Sequence, residues 1–301
     1  MINGRIIKSI AGFYEVHTRD GIYRCRARGL FRALGEKPLV GDEVEMEVTD
    51  EVSIPKEGNV VRLLPRRNRL IRPNAANVDQ ALILFAVVHP KPSTNMLDRF
   101  LIEVRHRGLK SILCFNKTDL AEEEEIRHLR ETYSLCGSKV LFISARDEAS
   151  LDVLRGELEG KTTVLTGPSG VGKSTLINLL CPGADMQTGE LSRKISRGRN
   201  TTRHVELLSA GGDTYLVDTP GFTSLYLPEF EPEELRLYYE EFAPLEKRCR
   251  FGPCMHISEP DCAVRQAAEE GSISAERYSN YRELYEELRS RKPVYRKKDK
   301  E

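Results

Sequence analysis

Three groups of residues could do chemistry. The run Gly167-Pro168-Ser169-Gly170-Val171-Gly172-Lys173-Ser174 has the spacing of a phosphate-binding loop, with a glycine, four residues, then Gly-Lys-Ser. Glycines let backbone N–H groups wrap the phosphates, Lys173 reaches the β and γ phosphates, and the Ser174 hydroxyl ligates magnesium, with Thr175 next in the contact set. Asn116-Lys117-Thr118-Asp119 has the form of a guanine reader. The Asp119 carboxylate accepts from the N1 and N2 donors, a pair that adenine does not offer in that arrangement. Asn116 reads the Hoogsteen edge, Lys117 packs along the ring, and Leu120 follows; Ser144-Ala145-Arg146 stands where a second loop backs the same ring. The third group is Cys249, Cys254, His256 and Cys262, three thiolates and an imidazole within fourteen residues. That set matches a closed tetrahedral Cys3His zinc site, which leaves no open position for hydrolysis and implies a structural staple. Reduced free cysteines are the alternative.

These groups need elements to carry them. Apolar runs at 81–88, 110–115, 139–143, 162–166 and 214–217 read as strands, and helical periodicity at 96–107, 122–135, 151–158 and from about Lys173 fills the intervals. Repeated strand and helix units predict a parallel sheet covered on both faces, with every proposed ligand loop at a strand's carboxyl end. The strand at 214–217 delivers Asp218-Thr219-Pro220-Gly221, in which Asp218 supports magnesium and the Gly221 N–H senses the γ-phosphate. Gly198-Arg199-Asn200-Thr201-Thr202 lies on the connection where a switch threonine caps magnesium, and either Thr201 or Thr202 could do so.

The guanine reader precedes the phosphate loop, whereas an ordinary GTPase has the opposite order, so the pattern is that of a circularly permuted GTPase. Upstream, residues 2–64 alternate in short β-like runs broken by glycine and proline, the pattern of a small five-stranded barrel. An oligonucleotide-binding (OB) barrel fits that length, and an SH3-like barrel would look similar. Arg19, Arg24, Arg26, Arg28 and Arg32, interleaved with Phe13, Tyr14, Tyr23 and Phe31, offer the charge and stacking surfaces that RNA binding uses; core-and-surface alternation would give the same pattern. From Pro232 the chain reads as helical around the cysteine segment. The expected division is an OB-fold RNA-binding domain at 1–66, a permuted GTPase domain at 67–226, and a helical zinc-binding domain with a basic tail at 227–301.

Composition bounds the rest. The chain has 46 basic and 46 acidic residues and a net charge of zero, but basic runs recur at 62–72, at 193–203 and in the tail from Arg289. Each alone reads as a solvated face; three beside a nucleotide site favour a phosphate-rich partner. No apolar run approaches the roughly 18 residues of a membrane span, and the N-terminus lacks a secretion signal, so the expectation is a cytoplasmic protein with no membrane partner. Seven cysteines in a reducing compartment do not suggest a disulfide framework; Cys25, Cys114, Cys136 and Cys181 read as small buried hydrophobes.

The order NKTD, SAR, phosphate loop, switch threonine, DTPG, between a barrel and a Cys/His cluster, resembles the bacterial ribosome small-subunit-dependent GTPase A family, also called RsgA or YjeQ. The resemblance covers nearly the whole chain. It implies a GTPase acting in late maturation of the small ribosomal subunit: the GTP-bound protein binds the 30S particle and its 16S rRNA, is stimulated by it to hydrolyse GTP, and then leaves; separately, a monomer is the expected state. The implied cofactors are GTP/GDP, Mg2+ and one structural Zn2+. A P-loop ATPase or small-molecule kinase would need a different base reader.

Two positions depart from the expected chemistry. Phe222 stands where Ras-like enzymes place a water-orienting glutamine. The family resemblance implies a histidine immediately before the switch threonines, and this chain has Asn200 there, with His204 a possible substitute or an RNA-facing residue. Asparagine cannot take a proton near neutral pH, so the alternative function is a GTP-binding RNA checkpoint protein with negligible hydrolysis. The prediction is that Asn200→His raises GTP turnover in the presence of 30S subunits, towards the roughly 10²–10⁴-fold that a positioned general base contributes. An unchanged rate would show that Asn200 is not the limiting defect.

Overall fold

The computed structural model describes residues 1–27, 31, 37–71, 73–184, 186, 205–218 and 226–291. Five strands, β1 (Ile2–Ile10), β2 (Phe13–Thr18), β3 (Gly21–Ala27), β4 (Glu43–Asp50) and β5 (Lys56–Leu63), pair in the order β1-β2-β3-β5-β4 and close because β4 returns to β1. Closure removes the free edges that a small sheet would otherwise expose. Alternation decides which side chains fill the barrel: Tyr23 and Cys25 of β3 point in, Ile22, Arg24 and Arg26 point out. Of the four aromatic residues expected as stacking surfaces, Tyr14, Tyr23 and Phe31 are instead buried core. Only Phe13 remains at the surface, with the guanidinium groups of Arg24 and Arg26 4.2 and 4.9 Å from its ring centroid.

The second sheet contains β6 (Gln80–Ala86), β7 (Lys110–Asn116), β8 (Lys139–Phe142), β9 (Thr162–Thr166), β10 (Glu206–Ser209) and β11 (Tyr215–Asp218), in the spatial order β10-β11-β9-β6-β7-β8. Strands β11, β9, β6, β7 and β8 are parallel. The expected parallel sheet thus gains one antiparallel edge strand, β10, paired to β11. Every residue of β6 and β9 is buried, as central parallel strands covered on both faces must be. Ile83, Phe85, Leu113 and Phe115 face one core, and Leu82, Leu84, Ile112 and Cys114 face the other.

Helices α1 (Thr94–His106), α2 (Glu123–Tyr133), α3 (Glu148–Leu158) and α4 (Lys173–Leu180) connect these strands. Their starts follow capping chemistry. The Ser93 side chain accepts from the Met96 N–H, so α1 begins before the expected Met96. Asp147 accepts from the Ala149 and Ser150 N–H groups, which moves the start of α3 back from Leu151 to Glu148. The acidic run at 122–125 forms a capping box on α2. The barrel meets the sheet at its β10 edge, where Lys8 of β1 lies opposite Glu206 and pairs with it at 2.9 Å. Arg5 donates to the Thr162 Oγ1 at 2.6 Å and lies over the Tyr215 ring, so the barrel grips the first residues of β9 and β11.

The C-terminal region holds a 3₁₀ helix (Pro232–Tyr238), α5 (Ala243–Glu246), α6 (Ala263–Glu269) and α7 (Ala275–Ser290) around a third core. Helix α1 serves two cores: Leu97, Leu101 and Val104 pack on the sheet, and Ile102 packs with Leu235, Tyr239 and Phe242. The joint is also ionic. Arg277 of α7 donates from Nε to Glu241 Oε1 at 2.5 Å and from Nη1 to Asp98 of α1, and Asn280 donates to Asp98 Oδ2 at 2.8 Å. The guanidinium lies between the rings of Tyr133 and Tyr239, 5.2 and 4.9 Å from their centroids. Burial opposes its charge, but Asp98 and Glu241 outweigh that and raise the Arg277 pKa well above its ordinary value. Side chains of Arg277, Asp98 and Glu241 are 2, 1 and 3% exposed. Removing the cation would strand two buried carboxylates, so Arg277→Met is expected to destabilise the protein by about 3–5 kcal/mol in chemical denaturation. A loss under about 1 kcal/mol would mean that water reaches the cluster.

Candidate functional site

The ligand loops leave the carboxyl ends of neighbouring strands. Across the sheet they follow in the order Asp218 at the end of β11, the phosphate loop after β9, His89 beyond β6, the NKTD segment from the last residue of β7, and Ser144-Ala145-Arg146 after β8. Register sets their level: Ala86 pairs with Asn116, Ile83 with Thr166, and Asp218 with Leu165.

The loop at 167–174 is shaped by close approach. Gly167 has φ of +141°, and a Cβ there would stand 2.0 Å from the Leu84 carbonyl oxygen of β6, so no larger residue fits against the adjacent strand. Gly172 has φ of +102°, and its Cβ would meet the Asn116 amide nitrogen at 2.5 Å. The loop enters α4 at Gly172 without a side-chain cap, and the start of a helix is where backbone N–H groups and the helix dipole favour an anion. Lys173 Nζ donates to the carbonyls of Gly167 at 2.8 Å and Pro168 at 2.5 Å, so the ammonium lies along the loop itself. Ser169, Gly170 and Thr175 are exposed, while Pro168 and Ser174 are half-buried and Val171 is buried.

The base-reading segment is tied to that loop. Asn116 donates from Nδ2 to the Val171 carbonyl at 2.9 Å, and Lys117 donates from Nζ to the Gly170 carbonyl at 2.8 Å and to the His89 carbonyl. Lys117 takes a left-handed φ of 67°, which turns the chain into a 3₁₀ turn at Thr118–Leu120. Asp119 accepts from Ser144 Oγ at 2.7 Å, and Arg146 lies 3.5 Å from its other oxygen. Ser144 and Arg146 therefore orient the carboxylate; Ala145 is half-buried beside them, and Leu120 is 52% exposed. Asn116 Oδ1 is one of three buried side-chain polar atoms with no hydrogen-bond partner among the described residues. An orphaned polar atom between the base reader and the phosphate loop fits a site completed by a polar ligand. His89, whose carbonyl anchors Lys117, carries no motif that would mark it in the sequence.

Of the residues expected around magnesium, Ser174 opens α4 beside Lys173, and Asp218 ends β11 opposite Glu206, its side chain lying outside the described set. Asn200, Thr201, Thr202, His204 and Gly221 lie outside the described residues.

Cys249, Cys254, His256 and Cys262 come together, their sulfur and ring nitrogen atoms all within 4.8 Å of one another, in a group that could hold a metal ion. Zn–S of about 2.3 Å and Zn–N of about 2.0 Å imply tetrahedral edges of roughly 3.5–3.8 Å. His256 Nδ1 stands 3.4 Å from the Cys262 sulfur and 3.8 Å from that of Cys249. Burial lowers the His256 pKa against the opposing pull of Glu246, which favours the neutral imidazole that a metal needs. Burial also pushes the Cys254 thiol up to about 12, so a bound dication would have to displace protons from the thiols. Cys25, Cys114, Cys136 and Cys181 are buried and unpaired by disulfides, as expected.

The chain matches two family models, "RsgA GTPase" over residues 63–228 and "RsgA N-terminal domain" over residues 3–53. A protein of Agathobacter rectalis named small ribosomal subunit biogenesis GTPase RsgA is 45% identical, the alignment covering 96% of this chain and 99% of that one. One of the same name from Carboxydothermus hydrogenoformans is 47% identical over 96% and 98%. Among solved structures, YjeQ from Thermotoga maritima superposes with a TM-score of 0.78 at 33% identity, covering 97% of this chain and 99% of that one. YloQ, described as a circularly permuted GTPase, superposes with a TM-score of 0.77 at 38% identity, covering 98% and 97%.

Proposed function

The chain belongs to the RsgA GTPase family and is a GTP-hydrolysing enzyme, and from that premise we propose that its hydrolysis serves late maturation of the small ribosomal subunit. In this reading the 30S particle stimulates turnover, and loss of the γ-phosphate releases the protein. Support comes from relatives named as small-subunit biogenesis GTPases across nearly the full length of the chain. The observation that carries the chemistry is the joining of the NKTD segment to the phosphate loop through Asn116 and Lys117.

The residues take these roles. Asp119, held by Ser144 and Arg146, selects guanine; Asn116 and Lys117 place the base against the loop, flanked by Leu120 and Ala145. N–H groups from 167–175 cradle the phosphates, and Lys173 turns from the loop carbonyls towards the charge that develops on them. Magnesium, which the GTPase chemistry implies, would be held by Ser174, Asp218 and Thr201 or Thr202, and would neutralise charge between the β and γ phosphates. Zinc would be held by Cys249, Cys254, His256 and Cys262 as a structural staple.

We take the domains as 1–66, 67–226 and 227–301, because β5 closes the barrel at Leu63 and, Ile102 of α1 apart, the buried members of the third core run from Leu227 onward. The barrel face with Arg24, Arg26 and Phe13, the Arg-rich runs and the C-terminal domain would contact 16S rRNA. No described helix is long and apolar enough to cross a membrane, and we place the protein in the cytoplasm, where its substrate particle is, as a monomer. The second reading, a GTP-dependent checkpoint that scarcely hydrolyses, is favoured only by Asn200.

The test is GTP turnover with isolated 30S subunits, isolated 50S subunits and none. Acceleration by 30S alone is expected. GTP-dependent 30S binding without acceleration in single turnover would select the checkpoint reading, and acceleration by 50S alone would overturn the small-subunit assignment.

A further inference from the structure

The His256 ring has two ends, and each faces something different. Nδ1 is turned to the sulfurs of Cys262 and Cys249 at 3.4 and 3.8 Å. Nε2 points away from the cysteines to Glu246 Oε1, 3.5 Å off. The same oxygen accepts from Arg236 Nη1 at 2.7 Å. The ring is fully buried, so bulk water does not compete for Nε2.

The backbone around His256 is fixed by other groups. His256 takes a left-handed φ of 59°, and its carbonyl accepts from the Tyr278 hydroxyl at 2.8 Å. Tyr281 donates to the Met255 carbonyl at 2.5 Å. The Glu259 carboxylate collects the N–H groups of Met255, Ile257 and Ser258 at 2.6, 2.9 and 3.0 Å. Loop shape is thus set by Glu259, Tyr278 and Tyr281, which leaves Glu246 the narrower task of orienting the ring.

We propose that Glu246 is the outer-sphere partner of His256: its carboxylate accepts the Nε2–H, fixes the tautomer that presents the Nδ1 lone pair to the cation, and is itself aimed by Arg236. A ligating histidine whose remote N–H is held by a carboxylate is a stronger and better-directed donor. Glu246 ends α5, and Arg236 lies on the 3₁₀ helix whose Tyr238 carbonyl accepts from Arg105 of α1. The ion's outer partner therefore also links the knuckle to the GTPase domain. The proposal rests on the zinc reading of the cluster.

Two measurements on full-length protein separate the layers. Elemental analysis of protein purified without chelator reads zinc content, and zinc release to a chromophoric chelator then reads how firmly it is held. Wild type is expected to carry one zinc. Glu246→Ala should release it about 10–100-fold faster, the usual effect of losing an outer-sphere partner. Glu246→Gln, whose amide oxygen can still accept from Nε2, should lie between. Asp261→Asn, which removes a nearby charge that faces Arg250, should leave release unchanged. Zinc-free wild type would overturn the zinc reading beneath the proposal. Zinc-loaded Glu246 variants that release at the wild-type rate would overturn the proposal alone. Equal acceleration by Asp261→Asn would show that net charge, and not contact with the ring, is responsible.

Discussion

The nucleotide site depends on two hydrogen bonds across neighbouring strand ends: Asn116 to the Val171 carbonyl and Lys117 to the Gly170 carbonyl. They hold the base reader and the phosphate loop at one spacing, and a nucleotide spans both only if that spacing is right. Parallel pairing of β9, β6 and β7 makes the bonds possible, because it puts the two loops at the same end of the sheet. Glycine at 167 and 172 lets the loop approach β6 and Asn116 closely enough. None of this depends on which loop comes first in the chain. The sheet order β10-β11-β9-β6-β7-β8 is continuous in space while its sequence order begins in the middle, which is what a permuted GTPase requires.

Permutation changes what is attached to the site. Strand β11 ends at Asp218, and nine residues later Leu227 opens the C-terminal contribution to the third core. That domain is fastened to α1 by the buried Arg277 cluster and by a polar row that includes Thr94 with Glu276 at 2.7 Å and Asn95 with Glu283 at 3.0 Å. Adjacent residues of α7, about 100° apart around the helix, hold different partners: Arg277 and Asn280 hold α1, while Tyr278 and Tyr281 hold the cysteine and histidine knuckle. The barrel in turn grips the first residues of β9 and β11 through Arg5. The barrel thus touches strands that carry ligand loops, and the C-terminal region touches the helix that joins two such strands, β6 and β7.

Much of this was legible in the sequence because the signals were local. The phosphate loop and the NKTD segment each lie within eight residues and the four candidate zinc ligands within fourteen, and the apolar runs around the two loops are long enough to mark buried strands. Helix boundaries shifted where a cap such as Ser93 or Asp147 acted before the apolar pattern began. What was not legible depends on long-range contact. Nothing near Arg277 distinguishes it from the other basic residues of its helix, and only the fold brings Asp98, 179 residues away, against it. Strand β10 is four residues long and half exposed, too short for periodicity to identify. Interleaved aromatic and basic residues in the barrel gave the wrong emphasis, since Tyr14, Tyr23 and Phe31 turned inward and left Phe13 alone at the surface.

The most direct test of the central claim, that the permuted loops assemble one guanine-specific site, is nucleotide affinity in the Asp119→Asn variant. An asparagine amide can still accept from a purine N1–H but offers an N–H₂ where guanine also has a donor, whereas xanthine presents an oxygen there. Two charge-assisted hydrogen bonds are at stake, so GTP affinity is expected to fall by roughly 10²-fold while xanthosine triphosphate affinity rises. Unchanged GTP affinity, or wild-type protein that binds ATP as tightly as GTP, would contradict it.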